Sequence, residues 1–223
     1  LAGGGAERLV LDLCRHASED VEVSVATVMS GGALQSEYET AGVLVRCADR
    51  KRHRLGVRAL VRLRRWCAAA DIVHTHLWSG DFFGGLGALS SGRPVVSTVH
   101  NTRGDGPVRD ALLRSLPRRA LYVGVSPAAA DFAIVAGAPE RSVRCIPNGV
   151  DLARFPPSLW TAGPPWRLLF VGRLTRQKGV DRLIRAMVGL EDVSLEIVGE
   201  GEEGGALRSL ALELKVPVTF SGW

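Results

Sequence analysis

Two histidines, His76 and His100, each stand at the end of an apolar, β-branched run of the sequence. The runs are "DIVHTH" (71–76) and "PVVSTVH" (94–100), and both have the composition of buried strands. In α/β proteins, ligands bind at the carboxyl ends of the parallel strands. Two imidazoles at matched strand ends therefore favour a binding or catalytic site, whereas one alone would be explained as a core histidine.

A metal site is the other chemistry that this region suggests. His74 and His76 form an H-x-H pair that would point to one face of a strand, and such a pair can ligate zinc. Further ligands at close spacing are missing, because the next carboxylate is Asp81. The cysteines lie far apart without a C-x-x-C pair; they are Cys14, Cys47, Cys67 and Cys145. We therefore expect no metal site and no disulfide framework, which fits a reducing cytosol.

The stretch "RLLFVGRLTRQKGVDRLIRAM" (167–187) contains a second candidate site. An apolar run ends at Gly172, and Arg173 and Lys178 then precede a helical pattern. A helix start offers free N–H groups and a positive dipole end, so two cations beside it favour an anion such as phosphate. A solvated strand-to-helix turn explains the same residues without any ligand.

Glycines precede the first helical pattern of the chain, in "GGGAERLVLDL" (3–13). Gly4 and Gly5 would let a ligand approach the backbone and would aim N–H groups at an anion. A flexible chain end is the simpler explanation. Because such a turn normally follows a strand in an α/β unit, we expect the first unit to lack its first strand.

Apolar, β-branched runs alternate with helical patterns along the whole chain. We predict strands at 21–27, 42–47, 71–76, 94–100, 121–126, 142–147, 166–172, 193–199 and 216–222. We predict helices at 5–17, 55–69, 80–90, 108–116, 127–137, 177–189 and 203–214. This alternation with short connections predicts parallel sheets covered by helices on both faces, in a doubly wound fold. The segment 148–166 has four prolines and no periodicity, and it predicts a linker.

The composition is that of an ordinary globular protein, with 46% hydrophobic and 23% charged residues among 223. No apolar run reaches the roughly 18 residues that cross a bilayer. We see no secretory signal in "LAGGGAER", and we expect a cytoplasmic protein.

The basic character of the chain comes from one segment, 46–66, which holds nine cations and one aspartate, whereas the whole chain carries +5. A surface helix with a solvated basic face explains it. We also consider contact with the anionic inner face of the plasma membrane through Arg58, Arg62 and Arg65. A nucleic-acid-binding α/β module is a further alternative, but aromatics are missing apart from Trp66, and we expect no nucleic-acid partner.

Seven motifs occur in an order and spacing that resemble a known family. They are "GGAER", "DIVHTH", "VVSTVH", "GVSP", "IPNGVDLARF", "FVGRLTRQKGVDRLIRA" and "LEIVGEGEE". The set resembles the retaining glycosyltransferases of glycosyltransferase family 4, and "PNGVDLARF" followed by "VGRLTRQKG" is its most specific part. The resemblance covers essentially the whole chain.

The resemblance implies the GT-B architecture, an α/β fold of two Rossmann-like, doubly wound parallel-sheet domains that face each other across a cleft. Residues 1–149 would be the acceptor domain, 150–165 the linker and 166–223 the start of the nucleotide-sugar donor domain. The second domain would be truncated, and the first would lack its first strand.

The resemblance also implies roles for individual residues. Arg173 and Lys178 would grip the donor diphosphate, so no metal or other cofactor is expected. His100 would contact the donor sugar near the reacting centre, and His76 would shape the acceptor side. Further donor contacts would come from glycines, which are Gly4, Gly5, Gly172, Gly199 and Gly201.

By this resemblance the protein transfers a sugar, with retention, from a nucleotide sugar to a carbohydrate or lipid-linked acceptor hydroxyl in cell-surface polysaccharide or glycolipid assembly. The sequence departs from the family at Glu202, where proline is common. The family's E-x7-E motif would lie beyond residue 223, so we expect this chain alone to be inactive. A non-catalytic glycosyltransferase-like subunit is the alternative if the glutamates are absent.

Overall fold

A computed structural model of the chain describes residues 4–29, 31–48, 57–102, 120–157 and 163–223. Its contacts divide the chain into two compact units, Leu1–Phe155 and Pro156–Trp223. The predicted linker at 150–165 straddles this division, and its residues 158–162 lie outside the described residues. The predicted helix at 108–116 also lies outside them.

The first unit alternates helices and strands. Its described elements are α1 (Gly5–Arg15), β1 (Ser24–Thr27), α2 (Gln35–Thr40), β2 (Leu44–Cys47), α3 (Val57–Ala68), β3 (Val73–His76), α4 (Leu77–Ser79), a π-helical turn (Gly80–Gly84), α5 (Gly85–Ser91), β4 (Val95–Val99), β5 (Leu121–Gly124), α6 (Pro127–Val135), a 3₁₀ turn (Glu140–Ser142) and β6 (Val143–Cys145). The second unit continues the alternation with β7 (Trp166–Val171), a 3₁₀ turn (Arg176–Lys178), α7 (Val180–Ala186), β8 (Val193–Val198), α8 (Gly204–Glu213) and β9 (Val218–Gly222).

Among the described residues, all strand pairs are parallel, in three groups with the orders β1-β2, β3-β4-β5-β6 and β7-β8-β9. Every predicted strand is present, shortened by a few residues at one or both ends in most cases, and the predicted α/β class is confirmed. The helix α2 was not predicted, because "QSEYET" has a single large apolar side chain. That side chain, Tyr38, is fully buried, and its hydroxyl donates to the carbonyl of Glu7 at 2.6 Å.

The core of the four-stranded sheet is built from valines on the strands and alanines on α6. The hydroxyl of Ser126 accepts a hydrogen bond from the backbone N–H of Ala129 at 3.2 Å, and Pro127 occupies the first turn. This capped start brings α6 so close to β5 that a Cβ at Gly124 would lie 2.3 Å from the backbone nitrogen of Ala130. The sheet and helix can therefore touch only through glycine at this position.

A cavity of about 590 Å³ lies between β1 and β3, which do not pair with each other in the described part of the chain. Both strands line it, and side chains of α1 and α3, such as Val10 and Leu63, line it as well. An additional parallel strand placed there would pair with the open edges of β1 and β3.

The strand β7 corrects one expectation, because its run "RLLFV" was taken to be buried. Its side chains are mostly exposed, and Leu169 and Val171 are 64% and 60% accessible. The side chains that are buried in this unit belong mainly to β8, α7 and α8. Apolar composition predicted the strand, but burial depends on what covers it.

The described helices include none that combines the length and the apolar character needed to span a membrane.

Replacement of Gly124 by alanine should destabilise the first unit by about 1–3 kcal/mol, because the new methyl group overlaps the backbone of α6. Gly80→Ala is the matched control, since a Cβ there meets nothing within 4 Å. Urea denaturation followed by circular dichroism measures both free energies of unfolding. Equal stabilities for the two variants would contradict the close contact.

Candidate active site

The register of β3 against β4 determines which side chains share a face at the carboxyl end of the sheet. His74 lies opposite Val96, Thr75 opposite Ser97 and His76 opposite Thr98. Side chains alternate between faces along a strand, and paired residues in a sheet share a face. His74, His76 and Thr98 thus lie on one face, together with His100 two residues beyond Thr98. Thr75 and Ser97 lie on the other.

The imidazole face forms a connected group. Nδ1 of His76 lies 3.0 Å from Nε2 of His100, which is a hydrogen-bond distance. Nε2 of His74 lies 2.8 Å from the hydroxyl of Thr98. The ring centroids of His74 and His76 are 4.2 Å apart, and those of His76 and His100 are 5.3 Å apart. The structure therefore brings His76 and His100 into direct contact.

The opposite face holds a buried carboxylate that the sequence considered only as a metal ligand. Asp81, in the π-helical turn after β3, is fully buried. Its Oδ1 accepts hydrogen bonds from the hydroxyls of Thr75 and Ser97, each at 2.7 Å. These bonds tie the turn to both strands and so help to hold the strand ends that carry the histidines. The sequence signal that could have revealed this network is the hydroxyl residue that each of the two apolar strands carries, Thr75 in β3 and Ser97 in β4.

The protonation of the histidines is shifted by their surroundings. Burial, together with the neighbouring His74 and His100, lowers the pKa of His76 to about 3. Burial, and then His100, lowers the pKa of His74 from its usual value. The ring of His76 is consequently neutral near pH 7, with one donor and one acceptor nitrogen. Among the residues that the structure describes, no group of three or more His, Cys, Asp or Glu side chains could hold a metal ion.

The start of α1 is open to solvent. Gly4 and Gly5 are both exposed, and a Cβ at Gly5 would meet nothing within 4 Å. Gly4 is the N-cap residue, and it provides no side chain to bond the free N–H groups of the first turn. The carboxylate of Glu7, in that turn, lies beside Gly4.

The turn after β7 differs in detail from the predicted strand-to-helix junction. The helix α7 begins at Val180 and not at 177, because Lys178 ends a 3₁₀ turn and Gly179 adopts a left-handed conformation with φ 63°. Asp181 occupies the first turn of α7 and complements its dipole. A short helix with its own acidic residue is a weaker anion site than predicted, so the two cations become the stronger feature.

Arg173 and Lys178 are both exposed on this turn. Throughout the described ranges, neither side chain has a hydrogen-bond or ion-pair partner. The backbone beneath them is nevertheless fixed, since Gly172 donates to the carbonyl of Val198 at 3.0 Å and Leu174 donates to that of Glu200 at 2.9 Å. Two unpaired cations on a fixed backbone can accept an anionic ligand with little reorganisation.

Gly199 and Gly201 serve this turn by letting a second backbone approach it. A Cβ at Gly199, which has φ +144°, would lie 2.0 Å from the carbonyl oxygen of Gly172. A Cβ at Gly201 would lie 2.3 Å from the carbonyl oxygen of Leu174. Gly199 is itself buried. The structure thus gives both glycines a packing role, which the sequence did not predict.

Of the basic segment 46–66, the structure describes residues 46–48 and residues 57–66, and the latter belong to α3. Arg58, Arg62 and Arg65 are exposed on this helix, and Arg62 donates to the carbonyl of Ala48 at 3.3 Å. Val57 and Val61 are 68% and 53% exposed beside them. Cations and apolar side chains therefore share the outer surface of α3.

Comparison with known proteins begins with two family models that match most of the chain. Residues 3–154 match Glycosyltransferase Family 4, and residues 156–223 match Glycosyl transferases group 1. The chain is 34% identical over 172 residues to a D-inositol 3-phosphate glycosyltransferase of Nocardiopsis dassonvillei, covering 64% of this chain and 40% of that protein. It is 32% identical over 153 residues to a similarly named protein of Catenulispora acidiphila, covering 57% and 36%. The chain thus matches less than half the length of these relatives.

Solved structures with the same fold share little sequence with the chain. The HepE protein of Anabaena, in complex with UDP and glucose, matches with a TM-score of 0.82 at 18% identity, covering 99% of this chain and 66% of that one. The lipopolysaccharide outer core galactosyltransferase WaaB matches with a TM-score of 0.71 at 16% identity, covering 100% and 65%. These likenesses concern the fold, while the family model covers more than half of the sequence. The chain therefore belongs to Glycosyltransferase Family 4.

Proposed function

We propose that the protein is a retaining glycosyltransferase, moving a sugar from a nucleotide-sugar donor to an acceptor hydroxyl in cell-surface polysaccharide or glycolipid assembly. Membership of the family supports transfer. Complexes of HepE with UDP and with UDP-glucose support a nucleotide-sugar donor, and WaaB is named as a lipopolysaccharide enzyme. The observation that carries the proposal is the pair of exposed, unpaired cations in the turn after β7, Arg173 and Lys178, within the described residues.

The chemistry of transfer explains why cations belong there. Cleavage of the bond between the sugar and the diphosphate leaves negative charge on the diphosphate. Cations held close by on a fixed backbone stabilise this charge in the transition state more than in the ground state. We assign this role to Arg173 and Lys178, without a metal or other cofactor.

The remaining donor contacts follow from the backbone. Gly172, Gly199 and Gly201 shape the turn that presents the two cations, and residues 166–223 would form the start of the donor domain. Gly4 and Gly5 would offer N–H groups to the donor from the exposed start of α1.

We assign His100 to the donor sugar and His76 to the acceptor side. Both belong to residues 1–149, the proposed acceptor domain. Their half-buried position at the carboxyl end of the sheet and their mutual contact support this assignment. A carbohydrate or lipid-linked hydroxyl is the acceptor that we propose.

A contact with the anionic inner face of the plasma membrane is a second proposal, for a protein of the cytoplasm. The specific observation is the outer surface of α3, where exposed arginines lie beside exposed valines. Each cation near an anionic leaflet contributes about 1 kcal/mol, and the contribution falls as salt screens it.

The diphosphate contact is tested by Arg173→Ala and Lys178→Ala. Each should remove a charge-assisted hydrogen bond of about 1.5–3 kcal/mol, so that UDP binds roughly 10- to 100-fold more weakly. Calorimetry with UDP on the full-length protein measures the change. Arg182→Ala and Arg185→Ala, which remove exposed cations from α7, are the controls and should bind UDP as the wild type does. Unchanged affinity for UDP in both test variants would contradict the assignment of Arg173 and Lys178 to the diphosphate.

The role of His100 is tested by His100→Ala in the full-length protein, with UDP-glucose as donor. Turnover should fall by about 10-fold or more, because a group that touches the reacting sugar is lost, while the melting temperature changes little. His16→Ala, at the exposed end of α1, is the control. A variant that melts earlier but turns over normally would identify His100 as a core histidine.

The membrane contact is tested with liposomes. The wild type should sediment with anionic liposomes at low salt, and Arg58→Glu, Arg62→Glu and Arg65→Glu together should abolish sedimentation. The control reverses three exposed cations elsewhere, by Arg141→Glu, Arg182→Glu and Arg185→Glu. Equal binding to neutral liposomes would contradict the proposal, and tight binding to duplex DNA instead would favour the nucleic-acid alternative.

A further inference from the structure

We propose that His76 is a positioning residue, which fixes the ring orientation and the tautomer of His100 through the hydrogen bond between the two imidazoles. The proposal rests on the proposed function and changes the role assigned above to His76. It starts from one contact, the 3.0 Å distance between Nδ1 of His76 and Nε2 of His100.

A hydrogen bond between two neutral imidazoles couples their tautomers. Each neutral ring has one N–H and one bare nitrogen, so one partner must donate at this contact and the other must accept. If Nδ1 of His76 donates, Nε2 of His100 is bare and its proton lies on Nδ1. If Nε2 of His100 donates, Nδ1 of His100 is bare. The tautomer of His76 therefore determines what His100 presents at its second nitrogen.

His76 is suited to this role because it keeps one charge state. Its pKa is lowered to about 3 by burial and by the two neighbouring imidazoles, so its ring stays neutral near pH 7. The contact consequently always includes a neutral ring, which has one donor and one acceptor nitrogen.

The ring of His76 is itself held from behind. Thr98 is only 5% exposed, and its hydroxyl anchors Nε2 of His74 at 2.8 Å. The ring of His74 then lies against that of His76, with a centroid separation of 4.2 Å. The strand register places all three residues on one face and fixes their spacing. A chain of contacts thus runs from Thr98 through His74 and His76 to His100.

His100 lies beyond the last residue of β4, Val99, so the contact with His76 constrains its ring where strand pairing has ended. The strand ladder therefore does not set the direction of its ring. A sugar hydroxyl that bonds His100 would require a fixed donor or acceptor nitrogen at a fixed position, and small misplacements of such groups cost large factors in rate.

Three variants of the full-length protein separate positioning from packing. His76→Phe keeps the ring and removes the hydrogen bond. His76→Gln stays polar, but its amide falls near the Nε2 position and does not reach His100. His76→Asn places an amide near Nδ1 and should restore the contact. His16→Phe is the matched control at a distant, exposed histidine.

The first measurement is the ¹⁵N spectrum of the histidine side chains, which distinguishes protonated from bare ring nitrogens. His100 should show one tautomer in the wild type, in His76→Asn and in His16→Phe. It should show averaged signals in His76→Phe and His76→Gln. A single, unchanged tautomer in both loss variants would overturn the proposal, and the glutamine variant covers the case in which the phenylalanine variant does not fold.

The second measurement is turnover with UDP-glucose, read as UDP release. We expect kcat to fall by about 10-fold or more in the loss variants, with a smaller change in KM, and to recover in His76→Asn. Averaged signals with unchanged kcat would overturn the catalytic consequence. If the tautomer changes as expected but no variant and no wild type transfers sugar, the proposed function fails while the positioning by His76 stands.

Discussion

The parallel pairing of β3 with β4 is the constraint on which the first unit depends. Its register places His74, His76 and Thr98 on one face and Thr75 and Ser97 on the other. Strand pairing is reinforced at these strand ends by Asp81, which accepts hydrogen bonds from the hydroxyls of Thr75 in β3 and Ser97 in β4. A buried carboxylate costs free energy unless hydrogen bonds satisfy it, so this network is sensitive to any shift in register. The site on one face and its support on the other are thus two consequences of the same pairing.

The second unit also holds its candidate site in place, but it does so by packing between backbones. Its candidate site is carried by a turn, and turns gain order only when something packs against them. Here the packing is between backbones, and glycine at 199 and 201 allows the carbonyl oxygens of Gly172 and Leu174 to approach. The hydrogen bond from Leu174 to Glu200 then fixes the segment that bears Arg173. The flexible side chains of Arg173 and Lys178 therefore extend from an ordered backbone, and this lowers the entropy that is lost when an anion binds.

The two candidate sites also divide the chemistry by burial. Burial keeps the ring of His76 neutral, and beyond the contact of Nδ1 with His100 the ring has one further nitrogen. Arg173 and Lys178 are exposed, and Arg and Lys are residue types suited to an anionic ligand.

The sequence by itself determined the fold class, the order of the strands along the chain and the residue types at their ends. It could do so because apolar periodicity distinguishes strands from helices, and glycines and cations at junctions are visible in one dimension. It did not predict the start of α7 at Val180, the exposure of β7 or the network around Asp81. Only the tertiary structure decided these three features and the contact between His76 and His100. The reason is that strand register, the packing of one element over another and side-chain contacts all join residues that are distant in the chain. Periodicity fixes which face a side chain takes on its own strand, and only packing fixes what it meets there.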